Sequence, residues 1–182
     1  MPSRKSKFRL GDPAPHFVLP YDQHSKFSLR ENLGRGPLAL AFIRGTWCPF
    51  CRRFLRQVLQ SIEAIRSMGG DMVVIASQPL APLIRFSHQE ELPFKILSDA
   101  GRVVARQYGV FQVVGALGIN VARPAVFLLD ERGQIVYQYV GTATDRPCTE
   151  EVLRQLDRLA RNREKAAFTN NVKTSARAAV SS

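Results

Sequence analysis

The chain has 182 residues, 45% of them hydrophobic and 23% charged, with a formal net charge of +11. This fits one globular domain with a substantial core, and no apolar run approaches the ~18 residues that a membrane helix needs. Three cysteines, with no apolar signal segment after the basic start, do not read as a disulfide framework; redox chemistry and a cytoplasmic location are the default expectations.

The charge is unevenly placed. Residues 1–10 carry Arg4, Lys5, Lys7 and Arg9, and residues 161–182 carry five basic residues against Glu164, so each end contributes +4 and the body only +3. The expected organisation is a basic N-terminal segment (1–10), one domain (11–161) and a basic, Ala/Ser-rich tail (162–182) with the composition of disorder. Basicity confined to the ends argues against a nucleic-acid-binding body.

In chain order, Pro13 and Pro15 introduce a short strand from His16 to Leu19, then a turn over Tyr21 to Ser25, then a strand from Lys26 to Leu29, which together read as an N-terminal β-hairpin. His16 and His24 have no partner motif for catalysis and read as loop or strand histidines, and His88 further on reads as a solvated helix residue. Leu38 to Ile43 is a continuous apolar run, as expected of a strand buried on both faces. Arg44 to Trp47 form a turn. From Cys51 the period becomes helical, because Cys51, Phe54, Leu55, Val58, Ile62 and Ile65 recur on one face, and Gly69-Gly70 supply the stop.

Strand, turn and helix place Cys48 at the N-cap and Pro49 at the first helical position. The helix dipole and the cations Arg44, Arg52 and Arg53 favour a thiolate there, and can bring a cysteine from about 8.5 to between about 3.5 and 7.5. Cys51, one turn in on the apolar stripe, is expected to be shielded and protonated. A structural zinc site would need four ligands, and Cys148, His16, His24 and His88 offer no second closely spaced pair. Attack by Cys48 and resolution by Cys51 is the division of labour expected.

Met72 to Ala76 is a second buried strand, Ser77 to Pro82 opens a helix through about Glu90, and Lys95 to Leu97 is extended. Asp99 caps a helix running to Tyr108, which Gly109 stops. Val110 to Ala122 is apolar but broken by Gly115 and Gly118, and reads as a loop covering apolar surface. Phe111, Val113, Val114 and Leu117 would either pack internally or dock a substrate protein or second subunit, as in a homodimer. Arg123-Pro124 precedes a hairpin of Ala125 to Leu129 and Gln134 to Val140. Thr149 begins a last helix with Val152, Leu153, Leu156 and Leu159 on one face, and Cys148 just before it is either incidental or a second resolving thiol.

Trp47-Cys48-Pro49-Phe50-Cys51 resembles the active-site motif of thioredoxin-like thiol-disulfide oxidoreductases. The wider chain resembles the AhpC/TSA group, the peroxiredoxin-like branch of the thioredoxin superfamily, through Gly11-Asp12-Pro13-Ala14-Pro15-His16-Phe17, Leu97-Ser98-Asp99 and Arg123-Pro124-Ala125-Val126-Phe127-Leu128-Leu129-Asp130. The resemblance implies an α/β, thioredoxin-like fold: a central mixed sheet flanked by helices, with the N-terminal hairpin as an addition. It also implies that Pro124 is cis against the reactive disulfide, and that Arg123 holds thiolate and peroxide. Thr46, Trp47, Pro49 and Pro124 are then candidate substrate-binding residues beside the catalytic Cys48, Cys51 and Arg123.

Two departures from the resembled patterns stand out. Peroxiredoxins place a proline seven residues before the reactive cysteine and a Thr or Ser three before it, where this chain has Ala41 and Gly45. Thioredoxins place a buried carboxylate in the preceding strand, and Leu38 to Ile43 has none. The expected function is thiol-dependent redox catalysis, a peroxiredoxin-like antioxidant reducing peroxides or disulfides, with an external thiol reductant such as a thioredoxin or glutathione system and no metal or organic cofactor. A general protein disulfide reductase is the alternative, and a non-catalytic binding or redox-sensor module with basic tails is the alternative of another class.

Overall fold

The structure is a computed structural model that describes residues 6–114, 119–141 and 149–162. An antiparallel hairpin, β1 (Val18–Pro20) and β2 (Lys26–Ser28), leads through the short helix α1 (Leu29–Asn32) into β3 (Leu38–Ile43). There follow α2 (Pro49–Ser67), β4 (Asp71–Ala76), α3 (Leu80–Gln89), β5 (Lys95–Ser98) and α4 (Val103–Gln107). The remainder is β6 (Phe111–Val114), β7 (Ile119–Ala122), β8 (Ala125–Leu129), β9 (Ile135–Val140) and a final helix α5 (149–162).

Five strands form one mixed sheet in the order β5-β4-β3-β8-β9. β3 is at its centre, parallel to β4 and antiparallel to β8, with Phe42 opposite both Ile75 and Ala125. All six residues of β3 are buried, as its unbroken apolar run requires of a strand covered on both faces.

Strand alternation divides the core into two layers. Leu38, Leu40 and Phe42 face a layer that also holds the N-terminal hairpin, Val104, Tyr108 and Phe127. Ala39, Ala41 and Ile43 face the layer of α2, α3 and α5, with Cys48, Cys51, Phe54, Leu55, Leu83, Phe86, Val152 and Leu156. The first layer is centred on Tyr108, whose ring lies 5.1 Å from Phe42, 5.2 Å from Phe127 and 5.8 Å from Phe8, mostly edge-on or tilted. Its hydroxyl donates to the Pro15 carbonyl at 2.9 Å, and burial pushes its ionisation far above the ordinary phenol range. In the second layer the small Ala39 and Ala41 let α2 lie close to the sheet.

Gly69, at φ +74°, ends α2 in the left-handed conformation that only glycine enters without strain. The stretch expected to be an irregular loop differs: β6 and β7 pair antiparallel, with Phe111 opposite Ala122. The apolar, β-branched composition wins over the broken period, and the glycines that obscured it, Gly115 and Gly118, lie outside the described residues, as does Leu117. Phe111 packs beneath the Arg106 guanidinium at 4.2 Å, while Val113 is 64% exposed. α1, at four residues, is too short to show a period. No helix among the described residues is long and apolar enough to cross a membrane.

α4 begins later than expected, because Arg102 takes a left-handed conformation at φ +56°. Asp99 nevertheless caps it from a distance: its buried carboxylate accepts from the N–H groups of Val104 (3.3 Å) and Ala105 (2.8 Å). Replacing Asp99 by Ala should therefore cost about 1–2 kcal/mol, the upper range for a lost cap. Urea denaturation checks this as a lower midpoint with an unchanged slope.

Candidate active site

The site forms where β3 leaves the sheet. The chain turns through Arg44–Trp47, the Cys48 N–H donates to the Gly45 carbonyl at 3.3 Å, and the Cys48 carbonyl accepts the first helical bond from Arg52 N–H at 3.0 Å. Cys48 is the N-cap with extended backbone, and Pro49 opens α2. The missing N–H of Pro49 falls among donors the helix cannot pair internally.

Cys51 follows one turn later, fully buried and in hydrogen-bond contact with Cys48. Burial, and then donation of its proton to the Cys48 sulfur, push the Cys51 thiol above its ordinary range; the backbone N–H groups of Gly45 and Arg44 oppose this more weakly. Cys48 is more enclosed than its polar neighbours in sequence suggest. It is only 2% exposed and joins the α2 core layer, while Trp47 and Phe50 on either side are 52% and 51% exposed. The two sulfurs thus lie beneath a rim of open aromatic surface, with Pro49 also exposed.

Thr46 is buried and held by Gln78. The Gln78 Oε1 accepts from the Thr46 N–H at 2.8 Å and from the Thr46 hydroxyl at 3.2 Å. Gln78 follows β4, and its carbonyl accepts from the Ser98 hydroxyl at 2.7 Å, while the adjacent Ser77 Oγ accepts from Ala122 N–H at 3.0 Å. One dipeptide therefore joins the cysteine turn, the end of β5 and the approach to Arg123. Gly45 is required here by space: a Cβ on it would lie 2.4 Å from Trp47 Nε1 and 2.6 Å from Gln78 Oε1. Sequence reasoning missed Gln78. The available signal was its position, a buried polar residue at the carboxyl end of a strand adjacent to β3, where sites in α/β sheets gather.

The bond between Arg123 and Pro124 differs from what the resemblance implies. The Arg123–Pro124 bond is trans, since no described peptide bond is cis. Pro124 is buried, and its carbonyl accepts from Gly141 N–H at 2.7 Å, continuing the β8–β9 pairing. Extending the alternation of β8 puts Pro124 on the side of Val126 and Leu128, the cysteine layer, and Arg123 on the side of Ala125 and Phe127. The Arg123 guanidinium donates to the Gly109 carbonyl at 3.0 Å. Cys148 lies outside the described residues.

The profile of the AhpC/TSA family matches residues 10–138. The chain belongs to the AhpC/TSA family. It is 28% identical over 141 residues to the thiol-disulfide oxidoreductase ResA of Bacillus anthracis, spanning 77% of this chain and 75% of that protein. It is 28% identical over 133 residues to the chloroplastic peroxiredoxin Q of Oryza sativa subsp. japonica, spanning 73% of this chain and 59% of that protein. The crystal structure of a cysteine-to-serine mutant of PrxQ from Xylella fastidiosa superimposes with a TM-score of 0.76 at 16% identity, covering 86% of this chain and 99% of that one. With the mixed five-stranded sheet and the β1–β2 hairpin, this is the thioredoxin-like fold of peroxiredoxins.

The raised Cys51 ionisation fixes a sign. The native state holds the Cys51 proton more tightly than the unfolded chain does, so this contribution to stability is full below the ordinary thiol value of about 8.5 and is lost as pH rises through the higher native value. Stability of the reduced protein should fall over that alkaline window, and the fall should diminish in Cys51→Ala; urea midpoints at several pH values check it. For Gln78, replacement by Leu should strand the Thr46 N–H and hydroxyl at a cost of about 1–3 kcal/mol and slow Cys48 alkylation, while Gln78→Glu, which keeps an acceptor, should lose less.

Proposed function

We propose that this AhpC/TSA-family oxidoreductase works as a dithiol reductant of disulfides through Cys48 and Cys51. The observation that carries the reading is the hydrogen-bond contact between the two thiols within one helical turn, with Cys51 holding its proton above the ordinary range. The Cys48 thiolate attacks one sulfur of a substrate disulfide, the other substrate sulfur leaves as thiolate and takes a proton, and a mixed disulfide remains on Cys48. Cys51 gives up its proton and attacks the Cys48 sulfur, releasing the second substrate thiol and leaving the Cys48–Cys51 disulfide. Two electrons pass to the substrate, and an external thiol system such as thioredoxin or glutathione returns them. The N-cap position favours thiolate on Cys48, and its distance from the helix end leaves Cys51 the slower, resolving group.

What surrounds the sulfurs favours a disulfide. The Thr46 hydroxyl is engaged by Gln78, the Arg123 guanidinium donates to Gly109, and the exposed groups beside Cys48 are rings. The relatedness to a thiol-disulfide oxidoreductase agrees with this. The relatedness to peroxiredoxin Q supports a second reading, in which Cys48 attacks a peroxide oxygen, an alcohol or water leaves, and Cys51 condenses with the sulfenic acid to release water. We assign the catalytic unit to residues 11–161, with residues 1–10 and 162–182 as basic flanks.

Stopped-flow oxidation of the reduced protein, followed through Trp47 fluorescence, separates the readings. Rapid reaction with a small disulfide and slow reaction with hydrogen peroxide is the expected result. Cys48→Ser should abolish both, and Cys51→Ser should accumulate the mixed disulfide. Fast, Cys48-dependent reaction with peroxide alone would move the assignment to a peroxidase.

A further inference from the structure

The stretch from residue 32 to residue 62 contains five arginines and no aspartate or glutamate, and the cysteine pair lies in its middle. α2 carries Arg52, Arg53, Arg56 and Arg66 against Glu63 alone, a net +3, which equals the whole net charge of the body between the two basic ends. Helices ordinarily place acidic residues in the first turn, where they complement the dipole, and α2 has none there. That arrangement costs helix stability, and it gives the helix that begins at the cysteine pair a net positive charge.

The arginines are not equivalent. Arg52 pairs with Glu90 at 3.3 Å and stacks over the Phe86 ring at 5.3 Å, so it is occupied within the fold. Arg53 and Arg56 are exposed and form no ion pair with any described residue. Phe50, Arg53 and Arg56, spaced by three, step around the solvent face of α2 by about 60° each, and Arg56 lies on the side of Arg52, Phe86 and Glu90. Trp47 precedes Cys48 and Phe50 follows it, each about half exposed. The surface beside the sulfurs is thus two open rings continued by two guanidinium groups.

We propose that this surface docks an acidic polypeptide segment that carries the disulfide to be reduced. The inference rests on the disulfide-exchange reading above and adds the partner's chemistry. A Cys48 that is 2% exposed is reached by a substrate that first seats itself on the rings, which extended polypeptide side chains can do. Guanidinium groups fit carboxylates with a planar, two-donor geometry, and a positive field around the sulfurs raises the encounter rate of an acidic partner over a basic one.

The test uses the full-length reduced protein and three probes: two synthetic cystine peptides identical except for Glu or Lys residues flanking the disulfide, and neutral bis(2-hydroxyethyl) disulfide. At low salt the Glu peptide should react roughly tenfold faster than the Lys peptide, a ratio that collapses toward one at about 1 M salt, where the screening length is about 3 Å. Arg53→Glu with Arg56→Glu should invert the preference, and Arg53→Lys with Arg56→Lys should keep its sign. Equal rates for the two peptides with rapid reduction of the neutral disulfide would overturn the docking surface and leave the exchange chemistry standing. A preference for the Glu peptide that survives the double reversal would place selectivity in the basic ends and overturn it too. Failure of all three probes to react faster with this protein than with free cysteine would remove the underlying exchange reading itself.

Discussion

The site depends on the packing of α2 against the sheet at the corner where β3 ends. Ala39 and Ala41 are fully buried in the layer that also holds Cys51, Phe54 and Leu55 of α2. Larger side chains there would push α2 off the sheet, since interiors packed to native density do not absorb extra methylenes without displacement. β3 is itself held on both edges, by β4 in parallel and β8 in antiparallel pairing. The turn that delivers Cys48 therefore starts from the most constrained strand of the sheet. It is pinned a second time from the neighbouring strand, because Gln78 at the end of β4 takes both donors of Thr46. Two adjacent strand ends, rather than the helix alone, set where Cys48 stands.

The two sulfurs are made unequal by one turn of helix. Cys48, at the N-cap, lies at the positive end of the helix dipole, which favours negative charge on sulfur. Cys51, one turn in, is buried and loses that advantage, and its proton is turned toward Cys48. The same contact that raises one thiol gives the other a donor to lean on, so the asymmetry is a property of the pair. Burial of both sulfurs also limits casual oxidation, since a thiol reacts according to its thiolate character and its access.

Much of this was legible in the sequence because it rests on strong local signals. The unbroken run Leu38–Ile43, the helical stripe from Cys51 to Ile65, Pro49 at the first helical position and the Gly69 cap all specify the strand-turn-helix unit without reference to the rest of the chain. What was not legible depends on distant partners. Cys48 belongs to a buried layer that also holds residues of α3 and α5, which no window around Cys48 contains. Gln78 acts across 32 residues. The pairing of β6 with β7 was hidden by an aperiodic stretch, and the late start of α4 depends on Arg102 entering a left-handed conformation. The trans bond before Pro124 departs from an expectation that came from resemblance alone, which carries residue types more faithfully than backbone state.

A small oxidant and a polypeptide disulfide ask different things of such a site. A peroxide needs donors aimed at its oxygens, and offers almost no surface of its own. The Arg123 guanidinium is the donor the resemblance implies and the Thr46 hydroxyl is the nearest hydroxyl to Cys48 in sequence, and they bond to Gly109 and Gln78. A polypeptide brings surface and needs a place to rest it while its disulfide approaches in line with the attacking sulfur. In the docking proposed above, Trp47 and Phe50 would offer that place; both rings are about half exposed to water, an arrangement that folding alone does not favour. Rings left open beside a covered thiol are consistent with selection by contact area, in which the partner's own surface completes the site before the sulfurs meet.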